Sequence, residues 1–515
     1  MSSASIADAV GTTKIKAAQA GWRALLVGSI LLPFSYGADT VALTAWLAPV
    51  FLLRFTRELP LRLSLPVLGF VLLLASAFQL RGMFDFADDG TYWFSMAAGV
   101  VPALIPYAAD RLIARSLGGA LGSLVFPCAS TVIDYVNSFG PFGSWGAAGY
   151  SQYGELPLLQ LLSVTGLWGL TFLMGWFAAT CNTLWQEGWA SRRVRGGVYA
   201  CFGAIAVVIL GGGLRLALQP PAGKTVRVAS FSVNQESPPA LRAAVERLAE
   251  NRATQEDLAA IGERNTEIGD ELLARADRAA GQGARIAFWA EGNAMLLKPD
   301  EPAFIARGAE LARRDGIYLG MALASWTQGA PKPLENKLVM VGPDGQVAWQ
   351  YEKSLPVPGD EQAVSVPGDG RLRSLDTPYG RLGAIICFDG DFPQLVAQAG
   401  EDKVDILLDP SNDWQAIDPW HTEMASFRAI EQGVNLVRQT SHGLSAVFDD
   451  RGAPLAAMDH FRTADHTMIA DVPIAGTRTV YAWLGDWFAW LSVLGFLVLA
   501  GWALRLRIFG RRQRQ

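Results

Sequence analysis

A thiol, a carboxylate and an amine follow strand-like runs in the second half of this 515-residue chain. Cys387 comes after Leu382 to Ile386 in RLGAIICFDGDFP, Arg381 to Pro393, where an apolar run breaks into acidic and glycine residues. That pattern predicts a short buried strand delivering a thiol to a polar turn. Glu291 follows the strand-like Ile286 to Trp289, and Lys353 follows a strand ending in Tyr351. Open α/β sheets place their chemistry at the carboxyl ends of strands. A protonated thiol attacks poorly, so Cys387 needs a base and a nearby positive charge. Glu291 can take the proton. Lys353 can steady both the thiolate and the oxyanion of a tetrahedral intermediate, helped by a backbone N–H just after Cys387. Singly, each residue has a duller explanation: a lone cysteine packs as a small hydrophobe, and a loop Glu or Lys is usually solvated. Lys337 is the competing lysine, but it falls inside a strand pattern rather than past its end.

Other reactive residue types add little. Cys128, Cys181 and Cys201 lie in apolar segments near the N-terminus, which leaves Cys387 without a partner for a disulfide or a thiolate zinc site. His421, His442, His460 and His466 are irregularly spaced and read as surface or structural residues. No metal-ligand cluster or glycine-rich phosphate loop is evident, and neither a metal nor a cofactor is expected.

The elements that must position the three residues alternate between strand and helix. Val226 to Val233, Arg285 to Trp289, Tyr318 to Ala324, Lys337 to Val341 and Val347 to Tyr351 read as strands, and Glu301 to Arg314 as a helix. Pro238 to Ala280, rich in Ala, Glu, Leu and Arg, reads as one or two long helices of no evident purpose. After Cys387, helices near Gln394 to Gly400 and His421 to Gly433 alternate with strands near Asp405 to Asp409, Asn435 to Arg438, Leu444 to Phe448, Leu455 to Met458 and Thr467 to Val472. Such a segment is a sheet-based α/β domain with helices on its outer faces.

The rest of the chain is of a different kind. Hydrophobic residues make up 51% of the sequence and the formal net charge is −5, so a membrane-embedded portion is expected and nucleic acid is not a partner. Apolar stretches near Trp22 to Ala38, Val41 to Phe55, Leu61 to Phe78, Tyr92 to Ala109, Gly118 to Val136, Leu158 to Leu184 and Gly197 to Leu218 make about seven spans. Lys14, Lys16 and Arg23, then Arg54, Arg57 and Arg62, then Arg111 and Arg115, then Arg192, Arg193 and Arg195 occupy alternate ends. The intervening loops carry Asp39, then Asp85, Asp88 and Asp89, then Glu155, with Arg81 the main exception. The positive-inside rule makes the basic ends cytoplasmic, and an odd number of spans puts the α/β domain outside. A last segment, Trp487 to Leu504, precedes Arg505, Arg507, Arg511, Arg512 and Arg514, which gives about eight spans with both termini cytoplasmic. The domains expected are a tail 1–20, a seven-helix membrane domain 21–220, a catalytic domain 221–478, a C-terminal span 479–506 and a basic tail 507–515. Asp134, inside an apolar run, is the residue a transport reading would cite.

The order Glu291, Lys353, Cys387, in the contexts FWAEGN, YEKSLPVPGDE and AIICFDGDFP, resembles the carbon-nitrogen hydrolase (nitrilase) superfamily, and within it the membrane-bound apolipoprotein N-acyltransferase family. Gly140 to Leu173, Ser411 to Trp414 and Met424 to Gly452 extend the likeness over nearly the whole chain. The resemblance implies a multi-pass helical membrane domain and an extracytoplasmic αββα sandwich of the nitrilase kind, in a bacterial inner membrane. It assigns Glu291, Lys353 and Cys387 as the catalytic triad, with Glu361 orienting Lys353 or the incoming amine, and Phe388 and Asp389 supporting the site. It implies acyl transfer from a phospholipid, through a Cys387 thioester, to the α-amino group of a diacylglyceryl-apolipoprotein, by a monomeric enzyme. The loop Val136 to Leu158 is then either the route of the lipid tail to Cys387 or an ordinary aromatic anchor at the membrane interface. Departures stand beside the likeness: Trp289-Ala290-Glu291 for Trp-Pro-Glu, Phe388-Asp389 for Tyr-Glu, a reshuffled Leu355 to Glu361 loop, and Phe231 to Gln235 for a Gln-Gly-Asn run. These favour two alternatives: a membrane-tethered amidase or an N-acyltransferase for another amine. A non-catalytic membrane protein with a degenerate domain is a third reading, opposed by the presence of all three residue types.

Overall fold

The computed structural model describes residues 3–83, 89–218, 223–233 and 238–512. Asp85, Asp88, Asn234, Gln235 and Arg514, named above, lie outside them. The chain divides into two compact units: Met1–Asn137, Gly146–Arg215 and Asp486–Gln515 form the first, and Ser138–Trp145 with Leu216–Gly485 the second.

The first unit is helical. Among the described residues six helices are long and apolar enough to cross a membrane: Ile15–Phe34, Leu61–Gln79, Tyr92–Leu117, Gly119–Asn137, Arg192–Leu218 and Trp487–Phe509. Counting the bent pair Leu156–Thr165 and Leu167–Glu187 as one span gives seven. Two features separate this tally from the eight spans expected from sequence. Ala42–Glu58 has only 17 residues, a rise of about 25 Å against an apolar layer of about 30 Å. The stretch taken as one span at Leu158 to Leu184 turns by 118° at Gly166, whose φ of +63° favours glycine. Apolar side chains such as Val207 and Leu210 are 71% and 72% exposed, as a lipid-facing surface would be. The N-terminal stretch read as a polar tail is already helical from Ser3, in the helix Ser3–Leu31. Asp134 accepts hydrogen bonds from Thr171 Oγ1 (2.8 Å) and the Ala148 N–H (3.3 Å), which tether a loop.

The second unit is built on two sheets. The strands are β1 (Thr225–Phe231), β2 (Ile286–Trp289), β3 (Ala294–Leu297), β4 (Tyr318–Trp326), β5 (Leu334–Val341), β6 (Val347–Glu352), β7 (Arg373–Thr377), β8 (Gly380–Ala384), β9 (Ile406–Asn412), β10 (Asn435–Ser441), β11 (Leu444–Phe448), β12 (Pro454–Asp459) and β13 (Thr467–Pro473). One sheet runs β13-β1-β2-β4-β5-β6, with β3 also paired to β4; the other runs β12-β11-β10-β9-β8-β7. In both, parallel central pairs are flanked by antiparallel ones. Central strands therefore read as near-continuous apolar runs. Phe231, Phe288, Leu338, Leu382, Ile406 and Val437 share one core drawn from both sheets. Gln255–Gly281 and Glu301–Asp315 pack on the first sheet, and Trp420–Gln432 packs on β10 and β11.

The long helical region resolves into Pro239–Ala249 and Gln255–Gly281. The break is chemical: Thr254 and Asp257 form a reciprocal capping box that starts the second helix. The second helix covers β1, β2 and β3, while the first joins a smaller apolar cluster with Trp326 and Leu334.

Candidate active site

Cys387 lies three residues beyond the end of β8, at the first position of the 3₁₀ turn Cys387–Asp391. Its φ is +51°, unusual for a residue with a Cβ. The backbone is held there by its own N–H, which donates to Asp409 Oδ1 at 2.8 Å, with Asp409 on β9. The thiol is 3% exposed and its Sγ lies 3.8 Å from the Asn412 carbonyl oxygen.

Lys353, just past β6, donates from Nζ to Glu291 Oε1 and to Glu361 Oε2, both at 2.8 Å. All three side chains are thereby joined, with Lys353 and Glu291 buried and Glu361 partly so. Lys337 is placed elsewhere. Its Nζ pairs with Glu301 Oε1 and Glu335 Oε2, because alternation along β5 turns it away from its neighbour Asn336. Asn336 faces the site and was not legible in the sequence: its Nδ2 donates to Glu291 Oε1 (2.7 Å) and Glu361 Oε1 (3.1 Å).

Burial and charge set the proton affinities. Burial pushes the Cys387 thiol well above its ordinary range, the Glu291 carboxylate adds to this, and the Lys353 ammonium opposes it. Burial raises Glu291 too, against the pull of Lys353. For Lys353 burial acts downward, but the charges of Glu291, Glu361 and Cys387 overcome it and hold the ammonium well above its usual value. In this arrangement the cation keeps its proton while the thiol and the carboxyl can exchange one.

Asp389 and Phe388 differ in use. Asp389 is fully buried and accepts from Tyr351 OH (2.7 Å), the Leu355 N–H (2.9 Å) and the Ile386 N–H (3.2 Å). It fastens the segment after Lys353 to the turn that carries Cys387. Burial raises it to about 7 despite those donors. Phe388 packs edge-on to Phe392 and lines a cavity of ≈ 610 Å³ with Phe139, Pro141, Leu355 and Leu395.

Of the histidines read as surface or structural, His421 is of the structural kind. It is buried on the helix Trp420–Gln432, with Nε2 3.0 Å from Asp391 Oδ2 and Nδ1 2.7 Å from Asp413 Oδ1. Arg438 pairs with both Asp409 and Asp413. Burial alone would lower the imidazole, yet Asp391 and Asp413 bring it to about 9. A carboxylate lies against each ring nitrogen, and Arg438 Nη2 lies 2.8 Å from Nδ1 as well as 3.1 Å from Asp413 Oδ1. Ligating atoms of Cys387, Asp413 and His421 lie within 4.8 Å of one another. With a guanidinium beside them and the carboxylates already engaged, the group is a charge network under the thiol and a poor cation cradle. The signal available beforehand was the interval from Asp413 to His421 in SNDWQAIDPWH. His442, His460 and His466 form a separate ring cluster, with centroids 4.8 and 4.1 Å apart.

The segment Ser138–Trp145 is bound to the same turn. Ser144 donates from both N and Oγ to the Asp391 carbonyl at 2.7 Å, and the Trp145 ring lies against His421 at 5.3 Å. At Gly143, with φ +55°, a Cβ would meet the Asp391 carbonyl oxygen at 2.4 Å, so only glycine fits.

Residues 227–482 match the carbon-nitrogen hydrolase family profile, and residues 25–180 that of the apolipoprotein N-acyltransferase N-terminal domain. A protein of Geobacter metallireducens named apolipoprotein N-acyltransferase is 29% identical over 256 residues, 46% of this chain and 49% of that one. A Bradyrhizobium diazoefficiens protein of the same name is 28% identical over 353 residues, 62% of each chain. The chain thus spans about half to three fifths of the length of these relatives. Among solved structures, an amidase from a Nesterenkonia species is 19% identical, with 49% of this chain and 92% of that chain covered and a TM-score of 0.36.

Proposed function

Since the chain belongs to the apolipoprotein N-acyltransferase branch of the carbon-nitrogen hydrolase superfamily, we propose that it moves a fatty acyl chain from a phospholipid to the α-amino group of a diacylglyceryl-cysteine on an apolipoprotein. The reading rests above all on one observation: Lys353 is held between Glu291 and Glu361 at 2.8 Å, and its charge acts on the buried thiol of Cys387.

Cys387 Sγ attacks the ester carbonyl carbon while Glu291 takes the thiol proton. The S–C bond forms, the ester C–O bond breaks, and the proton goes from Glu291 to the departing lysophospholipid oxygen. The neutral amine then attacks the thioester. A C–N bond forms, the C–S bond breaks, and the amine proton returns through Glu291 to sulfur. Lys353 and the N–H following Cys387 oppose the charge of each tetrahedral oxyanion. Exclusion of water favours the amine over hydrolysis. The apolar cavity beside Phe388 suits one acyl chain of the donor.

The proposal also puts the second unit outside the cytoplasm and both termini inside, with the enzyme acting as a monomer in the cell membrane. Charge parity supports this sidedness: Arg57, Arg111 and Arg115 line one cavity, and Arg507 donates to Ser116 Oγ.

Incubation with acyl-labelled phospholipid should leave a hydroxylamine-labile label on Cys387 and release lysophospholipid in equal amount. No label on the wild type, or equal label on Cys387→Ala, would overturn the reading.

A further inference from the structure

A second polar site lies wholly within the first unit. A cavity of ≈ 280 Å³ is lined by Arg57, Asp110, Arg111, Arg115 and Glu187, with Gly118, Gly119 and Gly122 along one wall. Helix ends meet there. Arg57 is in the last turn of Ala42–Glu58, and Glu187 ends Leu167–Glu187. Arg111 leaves from a π-helical turn, Asp110–Ala114, at the end of a spanning helix. Such turns interrupt regular helices often at functional positions.

The carboxylates in this cavity are already engaged. Asp110 takes both Nε and Nη2 of Arg57, at 2.8 and 2.7 Å, and Arg57 Nη1 reaches Gln186 Oε1 at 3.3 Å. Glu187 accepts the Gly119 N–H at 2.9 Å. The other two guanidiniums are in a different condition. Among the described residues neither Arg111 nor Arg115 has an ion-pair partner, and each makes one hydrogen bond, at 3.5 Å, to the carbonyl of Leu59 or of Arg57. The Arg111 Nε is buried and has no acceptor. A guanidinium offers five N–H donors, so most of this capacity is unspent within the protein; Arg115 is exposed and Arg111 partly buried, and the cost of a buried donor without an acceptor falls on the Arg111 Nε.

Attraction of cations to helix C-termini and the preference for basic residues at one membrane face explain why arginines are here. Neither explains two further guanidiniums at a cavity whose own carboxylates, Asp110 and Glu187, already hold Arg57 and the Gly119 N–H. A phosphate answers both, since its oxygens accept several charge-assisted bonds and match the planar fork of arginine. The glycine wall leaves backbone, not side chains, beside it. Helix ends in an apolar bundle stand at head-group depth, where basic clefts between spans take anionic lipids.

We propose that Arg111 and Arg115 bind a phosphate-bearing anion, and that in the membrane this anion is the head group of an anionic phospholipid. The site is separate from the chemistry of Cys387 and does not depend on it.

The full-length protein, purified in detergent, is loaded with phosphatidylglycerol or with phosphatidylcholine of the same chains, and retained lipid is counted by native mass spectrometry. The wild type should retain phosphatidylglycerol at least about tenfold more tightly than phosphatidylcholine, and R111Q/R115Q should lose that preference. If the double variant does not fold, R115Q alone, which gives up a single long bond, should weaken retention about threefold. Inorganic phosphate is titrated against both proteins by thermal shift. Saturable stabilisation of the wild type alone, without lipid retention, would keep the anion site and overturn the lipid source. Equal phosphatidylglycerol retention by wild type and R111Q/R115Q would overturn the proposal.

Discussion

Glu291 has three tasks in the proposed cycle, and its surroundings set the pH at which it can perform them. It must be ionised to accept the thiol proton, and burial raises its affinity for protons. Thioester formation should therefore fall away on the acid side at a pH above the ordinary glutamate value, in single-turnover acylation of Cys387. The Asn336 bond favours the charged carboxylate. In Asn336→Ala that bond is gone, Glu291 protonates more readily, and the acid limb should move to higher pH by about one to two pH units, given 1.5–3 kcal/mol for a hydrogen bond to a charged group. An unchanged limb would remove Asn336 from this role. Lys353→Met should lower single-turnover acylation by at least about a hundredfold, the scale of one oxyanion donor, while the protein remains folded by circular dichroism. Glu291 and Lys353 were legible because each is a charged residue past a strand-like run, and Glu361 through the resemblance of its loop to the family's. Asn336 was not, because a polar residue inside a strand carries no mark of the face it occupies until its neighbours are paired.

The turn Cys387–Asp391 is the element that converts these residues into a site, and it is fastened from several directions. Asp409 holds its first N–H, Asp389 ties it to the Lys353 loop, and Asp391 reaches His421 and Ser144. Two of these groups make stability depend on pH. Asp389 has a folded value of about 7, above its unfolded one, so its contribution is present in acid and is lost as pH rises through 7. His421, at about 9, contributes fully below its ordinary 6.5 and loses that contribution as pH rises through 9. Melting of the full-length protein should thus fall between pH 6.5 and 9, by the order of 3 kcal/mol from His421. His421→Asn should flatten that window and leave the Asp389 portion in place; an equally steep fall in the variant would contradict the assignment. The sequence shows an acidic turn after a strand. It does not show that Tyr351 supplies a hydroxyl to Asp389 from a distant strand, although Phe388 lacks one.

At the scale of the whole molecule, the two kinds of composition correspond to two kinds of structure, a helical unit and a two-sheet α/β unit. The proposed sidedness predicts that a cysteine placed at exposed Lys403 in intact cells reacts with a membrane-impermeant maleimide, whereas one placed at Arg193 reacts only after permeabilisation. The reverse pattern would invert the topology. What the chain determined by itself was local: apolar runs make strands and spans, charges collect at helix ends, and the thiol, base and ammonium stand where strands stop. Those properties depend on neighbours within a few residues, through hydrogen-bond periodicity and solvation. Tertiary structure alone decided that Asn336 faces Glu291, that His421 lies near the thiol between two aspartates, that Ser138–Trp145 belongs with the turn Cys387–Asp391, and that one apolar stretch bends at Gly166. Each of these depends on partners far apart in the chain, whose burial and charge are set only when the sheets and helices have packed.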